Sequence, residues 1–531
     1  MTTVYRTPGS SVVATTSQPV QYERPLALDH YWTQPESGRF IDNSNSQDTS
    51  KSYIARSSGG DDNLERLIRD VSTRNNDSRQ KSTSHKNSKS DDSSSDDEPS
   101  DNYHTETENQ NLPVTIIITT GHYRLNGELD TNTAINFVST AYSGNPNAII
   151  NLEKKKVLSY GKKSWQGCIF KNGTYIIDSR SGSEKFTNCD FKDYFSISLK
   201  RGNAIFKDCN IFIENINKQF LKQIQQSSFS FLSCNFDING QGDKKANCLI
   251  KLLGCDENPN IIENCMINIS AKSRAQSCSR PFSIFQLGST QELIFTKNLV
   301  KINPTNNRIF VFGNWERLNG ARLNATYNTY ENINPKELFV SLLGGVWSAP
   351  VSTTGAIGGS IFITHSTLRD IRLLSFNSGI CNHNELCTSE TNCNHCGGDF
   401  SSWDQSIVVT YTNIFLSGPS TDQRSAIITL DGPNGSIWKI NLTNSILSVN
   451  NGNIPIALSN VESAVINLSG TSLVNNNSGG TVPNSPYLIV NNLPGGVTLL
   501  TNGSTTVSGL QNPIVTGQGS INTVSAMTIT M

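Results

Sequence analysis

The stretch Phe229-Ser-Phe-Leu-Ser-Cys234-Asn-Phe-Asp-Ile238 carries the grammar of the whole chain. Phe229 and Phe231 stand two apart, Phe236 and Ile238 stand two apart, and the phase shifts by one across Cys234. A period of two marks a strand with one buried face, so the stretch reads as strand, corner, strand. With Cys234 as position zero, the arrangement recurs eleven times between Trp165 and Val474, at Cys168, Cys189, Cys209, Cys234, Cys265, Asn298, Asn328, Ser366, Asn413, Ser445 and Thr471. Minus three is apolar from Trp165 to Leu468 except in one unit, where Thr410 stands. Plus two is apolar throughout, from Phe170 through Phe415 to Leu473.

Successive zero positions lie mostly 20 to 33 residues apart, the range of solenoid repeats. The units are rich in Ile, Val, Phe, Thr and Asn and show no helical period, so the repeating element is strand. A single coil cannot bury its inward side chains. Stacked coils, about 4.8 Å apart, align like residues into ladders and pair each backbone group with the coils above and below. The predicted fold is therefore all-β: a parallel solenoid of about eleven or twelve coils over residues 111–474.

This pattern resembles the right-handed parallel β-helix of pectin-lyase-like proteins over roughly residues 112–510. The resemblance implies architecture more than chemistry, because that fold hosts lyases, hydrolases, adhesins and virion proteins alike.

Charge excludes one function class. The chain has 43 Lys and Arg against 44 Asp and Glu, with no basic face, so nucleic-acid binding lacks its electrostatic footprint. No 18-residue apolar run occurs, and the start lacks a charged segment followed by an apolar one, which argues against a membrane span and classical secretion.

Residues 1–110 hold too few large apolar side chains to offset the entropy of ordering and read as a largely disordered tail. Two islands read as docking segments: 22–40, with Tyr22, Leu26, Tyr31 and Trp32, and 61–71, where Leu64, Leu67, Ile68 and Val71 share one helical face behind an Asp/Asn cap. Basic then acidic runs over 74–101 read as a solvated linker, within which Ser93, Ser94 and Ser95 resemble acidophilic kinase sites. Residues 475–531 read as further coils, with Val497, Leu499 and Asn502 as a faint twelfth repeat, or as a cap or oligomerisation tip, for which a homo-trimer would serve.

Five of the twelve cysteines occupy consecutive zero positions and read as reduced thiols at an inner corner. Cys248, Cys255 and Cys278 are placed in longer connections. The insertion 381–396 gathers Cys381, His383, Cys387, Cys393, His395 and Cys396. Cys381, Cys387, Cys393 and Cys396 suit one structural zinc, with His383 or His395 as substitutes, or two disulfides stapling a coreless loop. Both alternatives stay open, and neither makes the loop catalytic.

An enzyme on this fold needs acids in adjacent coils of one outer face. The plus-one column runs Asp190, Asn210, Asn235, Met266, Leu299 and the minus-one column Asn188, Asp208, Ser233, Asn264, Lys297; neither stacks two acids. His365, near Arg369 and Asp370, reads as a surface histidine rather than a general base. Loop acids such as Asp256, Glu257, Asp370 and Asp431 are the remaining route to catalysis. The sequence therefore favours a scaffold over a catalyst. Its Asn, Ile and Lys bias resembles structural proteins of large double-stranded DNA viruses, giving as leading reading a capsid-associated or surface-fibre virion protein, anchored by its tail and partnered by other virion proteins. The alternatives are a carbohydrate-active enzyme, with converging acids, and a glycan-binding adhesin, with exposed aromatics in a row on a side face.

Overall fold

A computed structural model of the protein describes residues 52–55, 62–64, 68 and 114–525, apart from a set of connections of which 347–359 and 378–403 are the longest. It is a parallel β-helix. A typical coil contributes Glu292–Thr296, Leu299–Thr305 and Ile309–Asn314, and these lie on Arg322–Thr326, Thr329–Asn332 and Val340–Val346 of the next. Three sheets result. The expected registry holds: Asp190, Asn210, Asn235, Met266, Leu299, Thr329 and Thr367 form one unbroken column of parallel partners.

The corner between the first and second sheets explains the phase shift. Its minus-one residue is left-handed in coil after coil, with φ of 50° at Asn188, 53° at Asp208, 54° at Ser233 and Asn264, and 56° at Lys297. One such residue turns the chain and flips the inward set by one position. Position zero then points inward and ties each coil to its predecessor. Cys209 Sγ donates to the carbonyls of Lys207 (3.3 Å) and Phe186 (3.4 Å), the latter at minus three of the coil before. Asn298 Nδ2 donates to Ile262 O at 2.9 Å, Asn328 Nδ2 to Phe295 O at 2.8 Å and Thr471 Oγ1 to Leu442 O at 2.6 Å, each the same relation with a different donor. The five zero-position cysteines are buried and free, as expected.

One repeat was out of register. Thr367 pairs with Asn413 and Asn413 with Ile446, so Asn413 occupies plus one. The zero residue of that coil is Thr412, whose hydroxyl donates to Thr410 O at 3.0 Å, and its core residues are Val409 and Ile414, both 0% exposed. The anomalous Thr410 thus stands at minus two, facing outward, and Phe415 at plus three. Cys248 also moves, opening the strand Cys248–Leu252 rather than lying in a connection.

The third sheet carries a second bend. Ile284–Phe285, Val311–Phe312, Leu342–Leu343 and Leu373–Leu374 are consecutive core residues, and the pairing between coils skips the first of each doublet. Two adjacent inward side chains require the strand to fold away from the axis there. Outside this bend Phe310 sits over Gly344, where an added Cβ would lie 2.2 Å from the ring.

The body also begins earlier than residue 111. Ser52–Ala55 pairs in parallel with Val114–Ile118, and Asp62–Asn63 with Gly121–Arg124. Leu64 and Ile68, helical and one turn apart, are 2% and 1% exposed within the solenoid core. At these residues the segment expected to dock on a partner docks on its own first coil. Segment 22–40 and the 74–101 run lie outside the described residues. Beyond Thr471 the solenoid continues: Thr506–Ser508 pairs with Ser472–Asn475, Ile514–Thr516 with Leu488–Asn491, and Ile521–Ser525 with Val497–Thr501. Thr505, donating to Leu468 O at 2.8 Å, is the zero residue of this twelfth repeat, in place of the expected Asn502.

Candidate functional site

Corrected registry brings Tyr411 into one column with Tyr327 and His365. Tyr327, His365 and Tyr411 all stand at minus one, on successive coils, in the left-handed conformation with φ of 56°, 49° and 48°. Their centroids are 4.8 and 5.0 Å apart and their planes lie within 26° and 21° of parallel. Aromatic carbons touch at about 3.5–4.0 Å, so rings spaced this widely overlap only in part. Their spacing matches the rise of about 4.8 Å between stacked coils, so the rings pile up along the column. Tyr327 is 54% exposed and Tyr411 56%.

The backbone beneath these rings is strained for such residues. Left-handed geometry costs a bulky L residue about 1–2 kcal/mol, and the same corner is Asn at 188, 264 and 444 and Gly at 167 and 470. Stacking returns about 0.5–1.5 kcal/mol per pair, enough to offset the strain and not enough to explain why tyrosine replaces asparagine. Strained positions of this kind concentrate at ligand clamps.

Hydroxyls frame the rings. Thr296 and Thr326 share a hydrogen bond of 2.9 Å at minus two, and Thr410 Oγ1 donates to Thr364 Oγ1 at 2.9 Å. Thr364 Oγ1 lies 2.8 Å from His365 Nδ1, which pins that edge of the imidazole and turns the Nε2 edge away from the sheet. His365 is exposed, as expected of a surface histidine, and Asp370 is engaged elsewhere. Asp370 accepts from Ser417 N (2.6 Å), Ser417 Oγ (2.9 Å) and Gly418 N (2.9 Å), so its carboxylate is bound into a turn. Asp431 accepts from Asn460 Nδ2 at 2.9 Å. Asp190 accepts from Asn210 Nδ2 at 2.9 Å within the plus-one column. Cys381, Cys387, Cys393, Cys396, His383, His395, Asp256 and Glu257 lie outside the described residues.

A second cluster of polar groups points into the core, where the outward columns of the sequence give no sign of it. Glu184 is fully buried, accepts from Ser159 Oγ, and lies among Tyr175, Trp165 and Lys163, whose ammonium donates to Tyr160 O. Burial pushes the Glu184 carboxyl up to about 7, against the opposing pull of Lys163, Ser159 and Tyr175. With no opening to solvent, this group acts on stability rather than on substrate.

No family model and no curated protein matches the chain. Among solved structures it is similar to a PL6 alginate lyase in complex with a trisaccharide, at 11% identity and a TM-score of 0.38, over 91% of this chain and 89% of that one. It is also similar to the alginate lyase AlyF-OU02 with G6, at 11% identity and 0.27 over 78% and 82%, and to the PL6 family alginate lyase AlyGC, at 9% and 0.17 over 77% and 97%. At these values no residue role is carried across.

Proposed function

We propose that this chain is a glycan-binding β-helix whose binding face is the corner bearing Tyr327, His365 and Tyr411. The single observation that supports the reading is that exposed, strained, mutually stacked column. Tyrosine offers an apolar body with a polar tip, which matches a pyranose with its apolar ring face and peripheral hydroxyls. The threonine column alongside supplies fixed hydroxyls at the same spacing. Asp370, close in sequence to His365, is held in a turn by Ser417 N and Gly418 N, and Glu331, close to Tyr327, faces Arg369 in register, which favours capture over turnover.

The virion reading is the rival, and it rests on composition alone. A glycan array probed with the full-length chain tests the binding reading. Tyr327→Asn with Tyr411→Asn is the control, because asparagine is native at this corner in other coils and preserves the backbone. Binding by the natural chain and its loss in the double variant is the expected result. An array blank for both proteins would overturn the reading and leave the virion role in possession.

A further inference from the structure

We infer that the ligand of this corner is a neutral, extended polysaccharide lying parallel to the solenoid axis, one sugar per coil, across Tyr327, His365 and Tyr411. The inference deepens the glycan-binding reading and rests on it. Direction comes from the fold. Minus-one residues of successive coils stack along the axis, so the aromatic column formed by Tyr327, His365 and Tyr411 runs that way. Spacing agrees, because the 4.8 and 5.0 Å steps between ring centroids are comparable to one pyranose in an extended β-linked chain.

Neutrality comes from the flanks. On one side the rings are bordered by Thr326, Thr364 and Thr410, on the other by Thr329, Thr367 and Asn413, none of which carries charge. In the next outward column Glu331 and Arg369 are register partners of opposite sign. At the preceding coil Lys297 Nζ lies 3.1 Å from Glu263 Oε1, so the cation that begins the column is paired with a carboxylate. Over the three ringed coils the next outward column reads Glu331, Arg369 and Phe415 and carries no net charge, Lys301 standing on the coil before, so a polyanion gains no net positive track along the rings themselves.

Length comes from where the aromatics stop. The corner residue before Tyr327 is Lys297 and that after Tyr411 is Asn444, both in the same backbone conformation without a ring. Three subsites follow. His365 occupies the middle one and presents its Nε2 edge to a ligand hydroxyl, and the tyrosines flank it. A chain of three sugars fills the column, and a longer chain gains no further ring.

Calorimetric titration of the full-length protein with cello-oligosaccharides from the disaccharide to the hexasaccharide tests this, with oligogalacturonates of the same lengths as the charged counterpart. Affinity should rise to the trisaccharide and then level off, with oligogalacturonates weaker at every length. Tyr327→Asn and Tyr411→Asn should each weaken trisaccharide binding roughly tenfold, and His365→Asn should do likewise. Tyr194→Asn, at another exposed left-handed tyrosine (φ 58°), should leave binding unchanged. Thermal unfolding of each variant close to that of the natural protein separates lost contacts from lost fold. Binding of oligogalacturonates in preference to cello-oligosaccharides, or affinity still climbing at the hexasaccharide, sinks this inference while the glycan-binding reading survives. No binding of any glycan removes both.

Discussion

Leu64→Ala with Ile68→Ala should open the first coil and leave the rest of the solenoid closed. Each side chain is almost wholly buried in the core that Val114, Ile116, Ile118 and Tyr123 also line. Deleting one such side chain costs about 2–5 kcal/mol. The two are one helical turn apart and share a cavity, so their effects do not simply add. Taking about 4 kcal/mol for the pair, and tenfold per 1.4 kcal/mol, the cap should open roughly a thousand times more often. Its release frees the strand register of Ser52–Ala55 and Asp62–Asn63 and bares the edges of Val114–Ile118 and Gly121–Arg124. Hydrogen exchange read by mass spectrometry should show faster exchange by about that factor over 114–124. Because solenoid coils communicate only with neighbours, peptides beyond residue 260 should keep their protection. An open edge also invites pairing between chains, so the variant should self-associate on size exclusion. Unchanged protection at 114–124 in the double variant would refute the claim that this segment closes the solenoid.

Three further outcomes follow from named contacts. Asn298→Ala orphans Cys265 N, now 2.8 Å from Asn298 Oδ1, and Ile262 O, so a loss of about 2–4 kcal/mol is expected in urea unfolding; Asn298→Cys should lose less, because Cys234 N already points at Cys265 Sγ in the coil below. Gly344→Ala should cost about 1–3 kcal/mol by driving a methyl into the Phe310 ring, and Phe310→Ala in the same chain should recover most of it, an interaction readable from a double-mutant cycle. Glu184 is raised from a carboxylate's ordinary value of 4.5 to about 7 in the folded state, so its contribution is complete below pH 4.5 and is lost as pH climbs through 7. The penalty above pH 7 is on the order of 3 kcal/mol, and Glu184→Gln should flatten stability between pH 5 and 8; an unaltered slope would show that the carboxyl is ionised throughout.

Much of the fold was legible because its signals are local. The period-two alternation around Cys234, the apolar minus-three and plus-two columns and the Asn, Asp and Gly residues at minus one all lie within ten residues of each corner. The slip at Asn413 arose where the signal was weakest, since Asn413 and Thr412 are both small and polar and Phe415 mimics a core residue. The polar Thr410 was the mark of the error. Correcting it moves Tyr411 into the column of Tyr327 and His365, so a single-residue displacement concealed the site. The doublets of the third sheet, from Leu249-Ile250 to Leu373-Leu374, were a repeat of their own that the corner grammar did not cover.

The amino-acid pattern alone determined that this chain winds into parallel coils with Cys, Asn, Ser and Thr as an internal ladder, because each coil repeats the same short-range rule. The tertiary structure decided which residues meet between coils. Tyr411 reaches His365 across 46 positions of chain, Leu64 closes against strands some fifty residues on, and Glu184 meets Ser159 inside the core. Loops of unequal length set those meetings, and a loop's length fixes how much chain intervenes while its packing fixes where the chain returns. The ladder is a property of the repeat; the aromatic corner is a property of the stack.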